Sequence, residues 1–497
     1  MTDTLNAADA SRAAEVSRRD FLRSGAAGVG AAAAFYTTPL AAAAERIATA
    51  TPPGAAPSGP IHVWQTTGAE RHVARPDISW GAGAARAAND VVLDPERRKQ
   101  EVLGFGGAFT DAATYMFNQL APDARAALFH ELFHPTEMNL SVGRTCVGSS
   151  DYSTKAYSYD DSATPDPDLT KFSIAHDRQW ILPMLREARR VNPDLFLLSS
   201  PWSPPGWMKD NNSLLGGTIR RRYLRQYANY MTRFVEAYAA EGVTVDAVSS
   251  QNEVDTDQDS RMPQCTWPQE IEVQFVGEFL GPAFVKAGLH TRIWLIDHNY
   301  NLWGRALAML QDDAVRRFAD GFAWHGYLGS PTEMTRVHEA YPNKHAYWTE
   351  GGPDITDPKY QTDWTKWASM FSGIMRNWAR CIIAWNLALD EKGKPNIGPF
   401  PCGGVVTIDS RTKAVTRSAQ YWAFAHYSRH VRRSARVLES MGGPSSASHV
   451  AFENPDGSRV VVLTNDGSSA TDLRVVLGDG VAAVSVPADS VTTLAWS

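Results

Sequence analysis

Between residues 99 and 389 the chain alternates eight short apolar runs of β-like composition with longer amphipathic stretches, and few folds accommodate that rhythm. The runs lie at 101–105, 139–143, 195–199, 246–250, 292–296, 321–324, 344–348 and 380–384. Strand–helix alternation makes the strands parallel and covers them with helices, and eight repeats are what a closed (β/α)8 TIM barrel needs. An open, doubly wound sheet is the alternative. The clearest helix covers 220–240, where Tyr223, Tyr227, Met231, Phe234 and Tyr238 recur at spacings of three and four and Gly242 stands just past the end.

The flanks read differently. Runs at 459–464, 473–477, 481–486 and 491–496 are separated by Asn-Asp-Gly, Gly-Asp-Gly and Pro-Ala-Asp turns, which predicts a small antiparallel β-sandwich side domain. Short strands at 61–67 and 91–93 can join it, making that domain discontinuous in sequence. The expected division is a signal over 1–44, a Pro/Gly/Ala linker over 45–60, side-domain strands over 61–95, the catalytic barrel over 96–427 and the rest of the side domain over 428–497.

Ser17-Arg18-Arg19-Asp20-Phe21-Leu22 is a twin-arginine pattern, followed by a weakly apolar Gly/Ala stretch and by small residues at 41–44 suited to cleavage. This predicts export in the folded state by the twin-arginine machinery, to the periplasm or the medium, with no transmembrane segment after signal removal. A net charge of −6, with 48 Lys and Arg against 54 Asp and Glu, leaves no basic surplus for nucleic acid. Four cysteines (Cys146, Cys265, Cys381, Cys402) are too few for a disulfide framework, although an exported chain could still form one or two bridges.

Barrel enzymes build their sites at the C-terminal ends of the strands, and polar residues collect there. Asp111 follows the first run, Arg144 and Asp151 the second, Trp202 and Trp207 the third, Asn252 and Glu253 the fourth, and Asp297 and Asn299 the fifth. His325 and Tyr327 follow the sixth, Glu350 the seventh, and Trp385 and Asn386 the eighth. Two glutamates so placed, with hydrogen-bonding neighbours and nearby Trp, suit a pair that divides acid/base and nucleophilic work on a sugar. Two other patterns are weaker. His130-Glu131-Leu132-Phe133-His134 matches a zinc-binding helix motif, but Pro135 follows at once and the longer motif is missing. Asp255, Asp257 and Asp259 alternate like the start of a calcium loop, yet Ser260 and Thr266 occupy the positions that need Gly and Glu.

Five motifs carry a family resemblance: Gly104-Phe-Gly-Gly-Ala-Phe-Thr-Asp111, Ser199-Ser-Pro-Trp-Ser-Pro-Pro-Gly-Trp-Met-Lys209, Gln251-Asn-Glu253, Trp348-Thr-Glu350 and Trp385-Asn-Leu-Ala-Leu389. In this order, over roughly residues 100–427, they resemble the glucosylceramidase-like glycoside hydrolase family 30. The resemblance implies a retaining β-glycosidase on a barrel with a β side domain built from both chain ends. It implies Glu253 as acid/base and Glu350 as nucleophile, with Arg144, Asp151, Trp202, Asn252, Tyr327 and Trp385 in the sugar pocket and His325 beside them.

No metal or organic cofactor is required, and the implied partner is a β-linked carbohydrate or glycoconjugate. An ionised Glu350 is expected to raise the pKa of Glu253 by like-charge repulsion. Val254 stands where the family commonly has Pro, and the 395–404 loop departs from the glucosylceramidases. The acidic 255–259 segment is expected to rim the leaving-group side and disfavour anionic aglycones. The readings left open are glucosylceramide, β-1,6-glucan, simple β-glucosides and β-xylosides. A non-catalytic carbohydrate-binding protein and a barrel metallohydrolase are the rivals from other classes. The first has no use for two catalytically placed glutamates, and the second wants an H-x-H pair where Gly104-Phe-Gly106 stands.

Overall fold

In a computed structural model of the protein, which describes residues 57–83, 86–256 and 258–497, eight parallel strands close into a barrel. They are Gly104–Ala108, Val142–Val147, Phe196–Pro201, Ala247–Ser249, Arg292–Asn299, Ala319–His325, His345–Glu350 and Ala379–Leu389. Each pairs with its sequence neighbour, and the eighth closes the ring on the first at Cys381↔Gly104. The lumen is filled with side chains, including Val142, Leu198, Trp294, Tyr347 and Ile383. Trp294 and Tyr347 stack with centroids 3.6 Å apart, and both donate to Asp320. A packed lumen leaves binding to the rim.

The first strand lies later than the sequence predicts. The expected 101–105 run belongs partly to the neighbouring domain, because strand Asp90–Glu101 pairs with Arg436–Gly442. The barrel strand is instead the Gly-rich segment, which propensity argues against. Close packing explains it: a Cβ on Gly106 would sit 1.7 Å from the Val142 carbonyl oxygen. The second strand is also later than expected, at Val142–Val147 against 139–143, while the other six match in place, with the fifth and eighth running on to Asn299 and Leu389. The expected helix runs Leu224–Ala240, with Tyr227, Met231, Phe234 and Tyr238 on its buried face.

Both ends of the described chain enter a second sheet. Its strands run in the order Glu70–Ser79, Pro60–Thr67, Ser490–Trp496, Arg459–Asn465, Ala447–Glu453, Arg436–Gly442, Asp90–Glu101, Thr471–Leu477, Gly480–Val486 and Gly81–Ala82. All neighbours are antiparallel except Asp90–Glu101 with Thr471–Leu477. Strands far apart in that order share one core, where Ile61, Val461 and Leu494 meet Leu473, Val475 and Val484, as in a sandwich.

The four cysteines are buried and form no disulfide. Among the described residues no helix is long and apolar enough to cross a membrane. The twin-arginine segment, most of the linker and Asp257 lie outside the described residues.

Candidate active site

Arg144, on the second strand, is wholly buried at the centre of the rim. Its Nη1 donates to Glu350 Oε2 at 2.6 Å, Nη2 to Asn252 Oδ1 at 2.7 Å and Asp297 Oδ2 at 2.8 Å, and Nε to Ser200 Oγ at 3.0 Å. One guanidinium thus ties together residues of the second, third, fifth and seventh strands and Asn252 just past the fourth, which its planar fork of donors allows and a lysine could not reproduce. The other Glu350 oxygen accepts from the Tyr327 hydroxyl at 3.0 Å. Asp297 also accepts from Ser200, Ser249, Thr349 and His325. Burial alone would raise the Asp297 carboxyl, but the Arg144 charge and the His325 hydrogen bond hold it far below the carboxylate range.

Glu253 is surrounded differently. Its Oε1 lies 3.4 Å from His298 Nε2 and 3.4 Å from His325 Nδ1. His325 spans the two glutamates, since its Nε2 lies 3.1 Å from Asp297 Oδ1 and 3.8 Å from Glu350 Oε2. His298 Nδ1 is in turn held by Asp255. The expected like-charge elevation of Glu253 does not occur. Burial pushes its carboxyl up, but the charge and hydrogen bond of His298, then those of His325, outweigh burial and hold it well below the usual range. Burial works to lower His298, whereas the Glu253 charge and the Asp255 hydrogen bond raise it to about 10. The proton of this pair therefore rests on His298.

The backbone here is strained. Glu253, Ile296 and Asp297 have φ of 51°, 72° and 47°, in the left-handed region that branched and bulky residues avoid at a cost of about 1–3 kcal/mol each. The neighbours over-determine that geometry. The Glu253 amide donates to the Asp297 carbonyl at 2.9 Å. The Ile296 amide donates to Glu272, a buried carboxylate also held by Ser250 and Arg305.

Trp202 and Trp385 stack at 5.0 Å, with the Arg144 guanidinium 4.8 Å and 5.4 Å from their rings. Asp151 is buried, next in sequence to Tyr152, whose ring meets that of Trp385 edge-on at 6.0 Å, and the Asp151 carbonyl accepts from the Ile397 amide. A Cβ on Gly398 would sit 2.4 Å from that of Asp151, so the 395–404 loop lies directly on the second βα loop. Tyr152 ties it further, its hydroxyl donating to Phe400 and accepting from the Cys402 amide, while the Gly403 amide donates to the Pro353 carbonyl and the Ile355 amide to that of Pro401.

Some candidates fall outside the site. Asp111 is spent on His176, Trp180 and Thr154, and Trp207 packs on Tyr223. In the zinc-like motif the His130 and His134 rings stack at 4.4 Å, while Glu131 turns away to Arg417 and Tyr421. The two described carboxylates of the acidic segment differ in setting. Asp255 points in to His298, with its side chain 41% exposed, while Asp259 stands 87% exposed near Arg261.

Residues 102–431 match the family model for the glycosyl hydrolase family 30 TIM-barrel domain, and residues 434–494 match that for its β-sandwich domain. The chain belongs to glycosyl hydrolase family 30. This family 30 protein is 34% identical over 389 residues to an endo-1,6-β-D-glucanase of Neurospora crassa, covering 75% of this chain and 80% of the relative. It is 27% identical over 447 residues to the lysosomal acid glucosylceramidase of Mus musculus, covering 85% and 87%. Among solved structures, the endo-β1,6-glucanase BT3312 superposes with a TM-score of 0.80 at 28% identity, covering 88% of this chain and 100% of that one. Family membership makes the chain a glycoside hydrolase.

Sequence reasoning missed the role of His298 and Asp255 in this family 30 site. Asp297 carried a signal, a charge directly after the apolar run 292–296, which buries only with partners. His298 carried no signal beyond adjacency, because Asp255, its partner, lies on another loop.

Proposed function

We propose that this protein is a retaining β-glucosidase-type hydrolase that cleaves β-1,6-linked glucan, with Glu350 as nucleophile and Glu253 as acid/base. The contrast between the two carboxylates carries the reading. Glu350 is gripped by an arginine that keeps its charge and by a phenol, which suits a carboxylate that attacks. Glu253 touches two imidazoles, the side chains best able to exchange protons, which suits a group that must gain and lose one.

In the first step a Glu350 oxygen bonds to the anomeric carbon as the bond to the leaving oxygen breaks, and Glu253, recharged from His298, protonates that oxygen. In the second step Glu253 takes a proton from water, the water oxygen bonds to the anomeric carbon, and Glu350 leaves. Two inversions restore the β configuration. Asn252, with Oδ1 committed to Arg144, offers its amide N–H to the sugar 2-hydroxyl. Asp151 orients a further hydroxyl, and the Trp202 and Trp385 rings provide the apolar wall. The catalytic unit is the barrel of 96–427, supported by 61–95 and 428–497.

The endo-1,6-glucanase relatives favour β-1,6-glucan, and the mouse relative favours glucosylceramide as the second reading. Initial rates on a linear β-1,6-glucan, a β-1,3-glucan, glucosylceramide in mixed micelles and an aryl β-xyloside separate them. The expected result is a kcat/KM on the β-1,6-glucan at least about tenfold above each of the others, with the β-anomer formed first by proton NMR. Faster cleavage of glucosylceramide would reverse the order of the two readings, and an α-anomer would end the retaining mechanism.

Export by the twin-arginine route rests on Arg18 and Arg19. Arg18→Lys with Arg19→Lys is expected to hold the uncleaved precursor in the cytoplasm, and unchanged export of that double variant on cell fractionation would refute the route.

A further inference from the structure

Among the described residues, one group of histidine and carboxylate side chains closes to metal-ligand spacing, and it lies inside the candidate active site: Glu253, His298 and His325, all buried. We propose that a divalent transition-metal ion, zinc or copper, binds these three side chains and thereby arrests hydrolysis. The proposal concerns inhibition, not a resident cofactor, and its inhibitory half rests on the acid/base reading of Glu253.

Bonds of 2.0–2.2 Å to nitrogen and carboxylate oxygen in tetrahedral geometry separate neighbouring ligand atoms by about 3.4 Å. Two of the three edges already have that length: Glu253 Oε1 to His298 Nε2 is 3.4 Å and Glu253 Oε1 to His325 Nδ1 is 3.4 Å. All three ligand atoms lie within 4.8 Å of one another, so a small closing of the imidazoles completes the face.

The outer contacts strengthen the case. A histidine bound to a metal usually gives its other ring nitrogen to a carboxylate or carbonyl, which fixes tautomer and ring orientation. Both histidines are arranged so: Asp255 holds His298 Nδ1, and Asp297 Oδ1 lies 3.1 Å from His325 Nε2. The Asn299 amide lies 3.0 Å from His298 Nε2, and a cation would take its place there. Four carboxylates, Glu253, Glu350, Asp255 and Asp297, surround the guanidinium of Arg144 and the proton held by His298, and a metal bound at His298 Nε2 takes the place of that proton.

A metal on Glu253 leaves that carboxylate unable to protonate the leaving group or to activate water, so both steps stop. Zinc should therefore act at the site where substrate binds, with histidine and carboxylate as its ligands. The four buried cysteines are the other place where a soft metal could act, and the test must separate the two.

The experiment titrates zinc sulfate into the full-length enzyme by isothermal calorimetry, follows aryl β-glucoside hydrolysis in parallel, and repeats both on Asp255→Asn and His298→Phe. Each inhibition constant is referred to that variant's own uninhibited rate. The expected result is one zinc per chain, inhibition competitive with substrate and reversed by EDTA, and an inhibition constant weakened about 10–100-fold in Asp255→Asn and further in His298→Phe. Cobalt(II) in place of zinc is expected to show the visible absorption of a four-coordinate nitrogen/oxygen site, without sulfur-to-metal charge transfer. If His298→Phe does not fold, Asp255→Asn and the cobalt spectrum carry the test.

Absence of binding at millimolar zinc would overturn the proposal, as would equal inhibition of all three proteins. Binding with undiminished turnover would also overturn it. Azide rescue of Glu253→Ala tests the acid/base reading separately, so the two failures are distinguishable.

Discussion

Glu350→Ala is expected to abolish turnover on every substrate, by a factor on the order of 10⁵ or more, while Glu253→Ala loses about 10²–10⁴-fold on substrates with poor leaving groups and far less on activated aryl glycosides. The difference follows from what each removal leaves behind. Without Glu350 no covalent glycosyl intermediate can form, and Arg144 faces an empty place where its carboxylate partner stood. Without Glu253 the attack survives wherever the leaving group departs unaided, and the second step then waits for a nucleophile that needs no general base. Azide is such a nucleophile, so Glu253→Ala is expected to regain rate with azide and yield the β-glycosyl azide. Steady-state kinetics with NMR of the azide product checks both residues together. An α-glycosyl azide from Glu253→Ala would exchange the two roles.

Arg144→Ala carries the second large effect, on stability as well as on rate. Asp297 and Glu350 would lose the guanidinium that pairs with both inside a region with essentially no exposure, and breaking a buried pair from one side costs about 3–5 kcal/mol. The rate on good and poor leaving groups should fall together, because both the nucleophile and Asn252 lose their anchor. Arg144→Lys should recover part of the stability and little of the rate, since one ammonium cannot reach Glu350, Asn252, Asp297 and Ser200 at once. Urea unfolding and kcat/KM on an aryl β-glucoside check this. An unfolding midpoint equal to that of the unsubstituted protein in Arg144→Ala would show that the hub adds nothing to the fold.

Much of the barrel was legible because strands buried on both faces appear in sequence as short apolar runs between amphipathic helices. The first strand was not, because Gly106 serves a contact with the Val142 backbone that no propensity encodes. Strand Glu70–Ser79 also escaped, since much of it is exposed and Pro76 interrupts its pattern. At the site, Glu253 and Glu350 were visible as charges placed after apolar runs. The state of Glu253 was not visible, because it depends on His298 and on Asp255, which turns inward. Nothing in the acidic 255–259 segment marks its first carboxylate as a partner of His298, which only the tertiary contact shows.

The side sheet has a consequence for the timing of folding. Strand Ser490–Trp496 lies between Pro60–Thr67 and Arg459–Asn465, and Gln65 donates to Thr492 across 427 residues of sequence. A nascent chain therefore carries its early strand with an open edge through the synthesis of the whole barrel, and only Ser490–Trp496, made after that barrel, covers it. Pairing across such a sequence separation is slow, and an uncovered edge invites association with other chains while it waits. The seven residues of Ser490–Trp496 hold two otherwise separate strands in one sheet, so their arrival ends the period of greatest vulnerability for both ends of the fold.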